Sequence, residues 1–291
     1  MAKEYKISGF ADEISDSLEK QIEGLNSLGI NYIEIRGVDG NNIIFHEQET
    51  VERIKHRLDA AGIKVSSIGS PLGKIGIDER FEKHFEDFKR AVEVAHYMNS
   101  RYIRMFSFYV PQKESLENEG KWEEIKKEVF NRIGRFVDYA NNNDIILLHE
   151  NEKGIFGEKA PECLELMKNF YGNHFKAIFD FANFVQAGQN TLEAYKLLKD
   201  YIVYIHVKDA RMTDGKVMPA GYGDGHVKEI LSDLFENGFD GYLSLEPHLF
   251  DFSGFGLLEN GNKLNKLDMG VMSGFDSFSL AYDALKKLLL N

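Results

Sequence analysis

The sequence predicts a single (β/α)8 barrel domain over residues 1–291, and three observations favour this fold class. Short β-rich stretches alternate with longer stretches of helical periodicity along the chain. The chain holds eight such pairs, and no Pro/Ser-rich linker separates two halves. Parallel strands joined by helices form a doubly wound sheet or a closed barrel, and eight units in a domain of this length favour the barrel.

The predicted strands are runs of four to six residues, rich in apolar, β-branched and aromatic side chains. They cover residues 5–10, 32–36, 64–68, 102–106, 145–150, 177–180, 203–208 and 242–246.

The predicted helices follow the strands and carry start and stop signals. In the first, "SDSLEKQIEGLNSLG" offers a serine cap and ends at Gly29, and the second ends at Gly62 in the same way. The full set covers residues 15–28, 48–61, 81–98, 122–141, 161–170, 191–199, 227–236 and 278–290. The last helix follows a long loop at about residues 251–274, whose glycines and aromatic residues fit a functional loop or a homo-oligomer contact equally well.

Composition excludes several classes of protein. The formal net charge of −12 argues against binding of duplex nucleic acid, which requires clustered Lys and Arg side chains. The longest apolar runs are too short to span a bilayer, so no membrane association is expected. The N-terminus shows no secretory signal, and Cys163 is the only cysteine. These features fit a cytoplasmic protein with a small-molecule substrate.

Polar residues stand where four consecutive predicted strands end. Because a barrel gathers its chemistry at the carboxyl ends of its strands, these side chains should meet at one rim. Three carboxylates there would repel one another unless a cation joined them, so the set predicts a divalent metal site. Oxygen ligands with one imidazole suit Mn²⁺ best, with Mg²⁺, Co²⁺ and Zn²⁺ as alternatives. The four residues are Glu150, Asp180, His206 and Glu246.

These motifs resemble the xylose isomerase-like superfamily of sugar isomerases and epimerases, which are metal-binding TIM barrels. The most specific matches are "HEN", "FDFAN", "IHVKD" and "LSLEPH", and the glycine-rich "AGYGDG" resembles the loop that follows the histidine strand in that family. In the ketose 3-epimerase and inosose dehydratase branches, a Glu-Asp-His-Glu set at matching strand ends binds one divalent ion. The resemblance covers nearly the whole chain.

The resemblance implies that Glu150 and Glu246 form an acid/base pair on opposite faces of a small carbohydrate substrate. Removal of a proton beside a carbonyl gives an enediolate. Return of a proton to the opposite face is epimerisation, and return to the neighbouring carbon is isomerisation. Loss of a β-hydroxyl from the same intermediate is dehydration, the reaction of a lyase. The four ligands alone do not distinguish these reactions, nor a free sugar from a sugar phosphate.

Further residues near the four strand ends are candidates for substrate binding. Asn183 stands where the family's epimerases often carry a histidine, and its amide can donate to a sugar oxygen. Lys208 lies two residues after His206, on the same strand face. The remaining candidates in this group are Asp209, Arg211 and His248.

Two alternatives of other classes stay open. AP endonucleases share the superfamily, but they use more metal ligands and a basic groove for DNA, which the net charge of −12 disfavours. A sugar-binding barrel without catalytic activity would not need both glutamates.

Overall fold

A computed structural model describes residues 6–116, 118–249 and 272–290, and in them eight parallel strands form one barrel wall. Each predicted strand is present, with ends that differ by at most three residues from the prediction. The strands are β1 (Lys6–Gly9), β2 (Tyr32–Ile35), β3 (Lys64–Ile68), β4 (Tyr102–Met105), β5 (Ile146–Glu150), β6 (Phe175–Asp180), β7 (Ile202–Val207) and β8 (Tyr242–Leu245).

Hydrogen bonding runs from β2 through β3, β4, β5, β6, β7 and β8 to β1, so the sheet is an almost closed barrel. β1 and β2 lie side by side at the seam. The register places Asp180 opposite His206, and His206 opposite Ser244. The carboxyl ends of β6, β7 and β8 therefore reach the same level, and their polar side chains share one rim.

Helices cover the outside of the barrel. They are α1 (Leu18–Ser27), α2 (Gln48–Ala60), α3 (Phe81–Tyr97), α4 (Glu119–Asn142), α5 (Ala160–Phe170), α6 (Phe181–Gln186), α7 (Thr191–Leu198), α8 (Val227–Glu236) and α9 (Gly274–Leu290). Among the described residues, none of these helices combines the length and apolar character needed to cross a bilayer.

The structure differs from the predicted helices at four points. α1 begins at Leu18, three residues after the predicted start, and follows Ser17 as its N-cap residue. α6 is an additional helix that begins directly after β6. The Asp180 side chain caps this helix by accepting a hydrogen bond from the backbone amide of Asn183. α4 begins at Glu119, where Asn118 caps the helix, and not at residue 122. α9 begins at Gly274, four residues before the predicted start. The predicted loop at 251–274 lies outside the described residues except for its last three positions.

The main core lies between the strands and the helices. On β2, Ile33 and Ile35 face the helices, whereas Glu34 between them faces the barrel interior, as strand alternation requires. At the amino end of the barrel, the interior is filled by a second apolar cluster of Leu148, Ile178 and Tyr204. Polar side chains lie above it: Ser66 Oγ is 2.9 Å from the Tyr204 hydroxyl and 2.7 Å from Ser8 Oγ.

An aromatic cluster fixes α3 and α4 against β4. Phe136 on α4 is 1% exposed, and its ring centroid lies 4.8 Å from that of Phe88 and 5.1 Å from that of Phe81. Phe108, after β4, stacks on Phe136 with centroids 6.1 Å apart. These rings contribute apolar burial and favourable edge-to-face contacts.

We expect Phe136→Ala to lower the free energy of unfolding by about 3–5 kcal/mol, because it opens a cavity within this aromatic cluster. Urea denaturation followed by circular dichroism measures the change. Phe45→Ala is the matched control: Phe45 is 57% exposed, so its loss should change stability by no more than about 0.5 kcal/mol. Equal losses in the two variants would contradict the packing described.

Candidate metal centre

The four predicted ligands converge at the carboxyl end of the barrel. Each offers one ligand atom, and these atoms all lie within 4.8 Å of one another. All four side chains are buried, with exposures of 0–2%. Glu150 ends β5, Asp180 ends β6, His206 lies on β7, and Glu246 directly follows β8.

His206 lies at the centre of the group. Its Nδ1 is 2.8 Å from Glu150 Oε1, 3.5 Å from Glu246 Oε2 and 3.9 Å from Asp180 Oδ2. Its other ring nitrogen, Nε2, is 3.2 Å from Glu34 Oε2. Burial alone would lower the pKa of His206, but Glu150 and Glu34 hold it well above its usual value. The imidazole therefore carries a proton on each nitrogen, and it donates from Nδ1 to Glu150 and from Nε2 to Glu34.

Lys208 also contacts two of the ligands. Its Nζ lies 3.0 Å from Glu246 Oε2 and 3.2 Å from Asp180 Oδ2. Burial would lower the pKa of Lys208, yet Asp180 and Glu246 hold it well above its usual value. The ammonium group thus neutralises carboxylate oxygens of the predicted metal site. It also lies within reach of a small molecule bound there.

Asp180 is the least satisfied member of the set. Its side chain is fully buried, and Oδ2 has no hydrogen-bond partner although Lys208 lies nearby. Burial raises the pKa of Asp180 to about 7; Lys208 opposes the rise, and Glu150 and Glu246 add to it. A buried carboxylate oxygen without a hydrogen-bond partner is costly, and a bound cation would remove that cost.

Two arginines that were not among the predicted site residues contact the two glutamates. Arg104 on β4 places Nη1 3.2 Å from Glu150 Oε2 and 3.6 Å from Glu246 Oε1. Arg36, directly after β2, places Nη1 3.0 Å from Glu246 Oε1. A sequence signal existed for both: in "YIEIR" and "YIRM", charged residues alternate with apolar ones at the period of a strand, which predicts charges facing the barrel interior.

A second group of acidic and imidazole side chains adjoins Glu246. His248 Nε2 lies 3.4 Å from Glu246 Oε1 and 3.4 Å from Glu13 Oε1, and the His248 amide donates to Glu13 Oε2 at 2.6 Å. Burial raises the pKa of Glu13 to about 8, although Arg36 opposes this. Burial lowers the pKa of His248 to about 3. The predicted contact residue His248 is therefore a neutral imidazole beside one of the proposed proton carriers.

Asn183 lies beside Glu150, the other proposed proton carrier. Its Nδ2 donates to Glu150 Oε1 at 3.3 Å and to the Asn151 carbonyl at 2.9 Å. Because Asn183 is on α6 and α6 is capped by Asp180, the short helix fixes the amide relative to two of the four ligands.

Asp209 has contacts that indicate a structural role, and its predicted contact with substrate stays a prediction. Its buried carboxylate accepts hydrogen bonds from four backbone amides at 2.8–3.0 Å. The donors are Ala210, Gly221, Gly223 and Gly225. A Cβ at Gly223 would lie 2.4 Å from Asp209 Oδ1, so only glycine allows this approach. The "AGYGDG" loop is thus folded around Asp209.

Arg211 likewise forms a local ion pair. Its Nη2 lies 2.6 Å from Asp214 Oδ2, and its side chain is 39% exposed. The guanidinium group is thus paired within its own loop. The ion pair gives no support to the predicted contact of Arg211 with substrate.

The residues present fit a divalent ion. Among the residues that the structure describes around the four ligands, six buried carboxylates surround three permanent cations. The carboxylates are Asp12, Glu13, Glu34, Glu150, Asp180 and Glu246, and the cations are Arg36, Arg104 and Lys208. A divalent cation would offset most of this negative excess. Oxygen donors with one imidazole and no thiolate suit Mn²⁺, Mg²⁺, Co²⁺ or Zn²⁺.

Comparison with known families gives a match over most of the chain. The family model described as "Xylose isomerase-like TIM barrel" matches residues 22–263. Among curated proteins, the uncharacterized protein MJ1311 of Methanocaldococcus jannaschii is 26% identical over 184 residues. That alignment covers 61% of this chain and 61% of the relative, so it spans less than two thirds of the relative's length.

Solved structures show the same fold at low sequence identity. A D-tagatose 3-epimerase-like protein has a TM-score of 0.72 at 18% identity, over 98% of this chain and 97% of the other. The IolI protein with a bound zinc atom has a TM-score of 0.71 at 18% identity, over 98% of both chains. The probable 3-DHS dehydratase AsbF of Bacillus anthracis has a TM-score of 0.68 at 20% identity, over 83% of this chain and 92% of the other.

We expect Asp209→Asn to destabilise the protein by about 1–3 kcal/mol, because an amide replaces one acceptor oxygen among four backbone donors. Thermal unfolding of the purified variant measures the loss. Asp214→Asn is the control, since Asp214 forms an exposed ion pair and its removal should change stability by about 0–1 kcal/mol. An Asp209→Asn variant as stable as the wild type would refute the structural role.

We expect Mn²⁺ affinity to fall about tenfold or more between pH 8 and pH 6. Metal binding requires Asp180 to be ionised and His206 to be neutral, and both have raised pKa values, so protons compete with the ion as pH falls. Isothermal titration calorimetry at several pH values measures this. Asp180→Asn should bind Mn²⁺ more weakly and with a smaller dependence on pH. A wild-type affinity that is constant over this range would contradict the assignment.

Proposed function

The chain belongs to the xylose isomerase-like TIM barrel family, and on that premise we propose that it is a metal-dependent enzyme that isomerises or epimerises a small carbohydrate through an enediolate. One observation carries the proposal: three carboxylates and one imidazole from four consecutive strands bring their ligand atoms within 4.8 Å of one another at the catalytic end of the barrel.

The metal and the glutamates have separate tasks in this proposal. A divalent ion held by Glu150, Asp180, His206 and Glu246 would stabilise the negative charge that develops on substrate oxygens when a proton leaves the neighbouring carbon. Mn²⁺ remains our preferred ion, with Mg²⁺, Co²⁺ and Zn²⁺ as alternatives. The structural similarity to the zinc-containing IolI protein is compatible with this range.

The protein's own groups prepare proton transfer. Burial would raise the pKa of Glu246, but Lys208 and His248 hold it well below its usual value, so the Glu246 carboxylate is ionised and able to accept a proton. Glu150 approaches the same space from β5, and Arg104 contacts both glutamates. We propose that one glutamate removes the proton and the other returns one, which inverts the carbon or moves the carbonyl.

Polar groups around the pair would orient the substrate. Asn183 contacts Glu150, His248 contacts Glu246, and Lys208 bridges Glu246 and Asp180. Each would reach a hydroxyl or carbonyl oxygen of a substrate that touches both glutamates. All three are at most 5% exposed.

A lyase that dehydrates a cyclic keto-alcohol is the second candidate. Removal of the first proton is the same, but the enediolate then expels a β-hydroxyl group, and that group must receive a proton. The ammonium of Lys208 beside Glu246 is one donor for this step. The similarity to a probable dehydratase shows only the shared fold, but it makes this reaction worth testing.

We expect Glu150→Gln and Glu246→Gln each to lose about 10²–10⁴-fold in kcat, because glutamine keeps the shape but cannot carry the proton. Metal content, measured by inductively coupled plasma mass spectrometry, should be retained in large part. Glu158→Gln is the control, because Glu158 lies in the loop after β5 and its carboxylate accepts a hydrogen bond from the Gly154 backbone amide. Full activity in both Gln variants would exclude the proposed acid/base pair.

A substrate screen in deuterated water identifies the reaction class. Ketoses, ketose phosphates and inososes are incubated with the Mn²⁺-loaded enzyme, and products are followed by NMR. Deuterium at the reacting carbon with inverted configuration indicates epimerisation, and loss of water indicates the lyase. Turnover of none of these compounds, with cleavage of abasic DNA instead, would replace the proposal with a nuclease.

A further inference from the structure

Glu34 is a buried carboxylate that the proposed reaction does not use. It lies on β2 between two isoleucines that face the helices, and its own side chain points into the barrel with an exposure of 0%. Burial raises the energetic cost of its charge, and its Oε1 has no hydrogen-bond partner. An apolar side chain of similar size would fill this space at a lower desolvation cost. Packing alone therefore does not explain a carboxylate at this position.

The contacts of Glu34 connect it to a proposed metal ligand. Its Oε2 lies 3.2 Å from His206 Nε2 and accepts a hydrogen bond from Ser244 Oγ at 2.6 Å. Ser244 and His206 are neighbours in the register of β8 and β7. Ser244 therefore holds the carboxylate oxygen in place against the imidazole, across the seam of the barrel.

The two nitrogens of His206 face different partners. Nδ1 faces Glu150, Asp180 and Glu246, whereas Nε2 faces Glu34. A neutral imidazole carries one proton, and only the tautomer with the proton on Nε2 leaves the Nδ1 lone pair available for a metal ion. Phe10 packs against the ring edge-on, with centroids 5.3 Å apart, and restricts its rotation.

We propose that Glu34 is a positioning residue: it accepts the Nε2 proton of His206, and thereby fixes the tautomer and the ring orientation that present Nδ1 to a divalent ion. The inference rests on the proposed metal site and adds a residue to it. Carboxylates of this kind, hydrogen-bonded to a metal-binding imidazole, typically contribute 10–100-fold to metal affinity.

Zn²⁺ titration of purified variants tests the role. Glu34→Leu removes the acceptor at nearly constant volume and should weaken Zn²⁺ binding about 10–100-fold. Glu34→Gln keeps an acceptor oxygen and should recover most of that loss. Ser66→Ala is the matched control, because Ser66 belongs to the same buried polar layer but is linked to Glu34 indirectly, through the Tyr204 hydroxyl. It should leave the affinity for Zn²⁺ unchanged.

A second readout separates positioning from general destabilisation. In the Zn²⁺-loaded wild type, NMR should show a slowly exchanging Nε2 proton on His206, because that proton is hydrogen-bonded to Glu34. The signal should persist in Glu34→Gln and exchange rapidly in Glu34→Leu. Where Glu34→Leu does not fold, Glu34→Asp takes its place, since its shorter carboxylate leaves Nε2 without the acceptor.

Two negative results have different meanings. A wild type that binds no Zn²⁺ overturns the metal site and the role of Glu34 together. A wild type that binds Zn²⁺, with a Leu or Asp variant that binds it equally tightly, overturns the role of Glu34 and leaves the proposed metal site intact. A Ser66→Ala variant that loses as much affinity as Glu34→Leu also overturns it, because the effect then belongs to the polar layer as a whole.

Discussion

The excess of buried negative charge at the carboxyl end of the barrel is the constraint on which the site depends. In the described part of the chain six carboxylates meet three permanent cations there, and a protonated His206 reduces the difference without removing it. Charges that are withdrawn from water must be paired, neutralised by a proton, or bound to a metal. The raised pKa values of Asp180 and Glu13 show partial neutralisation by protons. A divalent ion would satisfy the same excess and return the carboxylates to their ionised form.

The barrel fold holds these charged side chains next to partners of opposite charge. Charged side chains reach the interior from β2, β4, β5, β6 and β7 and from the residue after β8, whereas β1 and β3 contribute Ser8 and Ser66. The apolar residues between them pack against the helices. Pairs such as Arg36 with Glu246 join residues 210 positions apart in the sequence. Because these groups are held by different strands, a change at one of them alters the electrostatic environment of the others. The same low-dielectric surroundings that make an unpaired charge costly would strengthen the interaction of a metal with its ligands.

The sequence was sufficient for the fold and for the four convergent side chains, because apolar strands and the positions at which they end are local features. It was not sufficient for α6, since six residues are too few to show helical periodicity. Glu34 and Arg104 were not predicted because they lie within their strands and not at the strand ends. Arg36 does end the second predicted strand, but the predicted ligands came from the ends of the last four strands only. The contacts of Asp209 were not predicted because its partners, the amides of residues 221–225, lie 12–16 positions away and leave no side-chain signature.

Anomalous X-ray diffraction from a crystal soaked in Mn²⁺ tests the central claim most directly. The account predicts one strong peak among Glu150, Asp180, His206 and Glu246, with ligand atoms at about 2.0–2.6 Å from it. Lys208 should no longer bridge Asp180 and Glu246 through the same oxygen atoms. A crystal that shows no peak there at saturating Mn²⁺, with the His206–Glu150 and Lys208–Glu246 contacts intact, would contradict it.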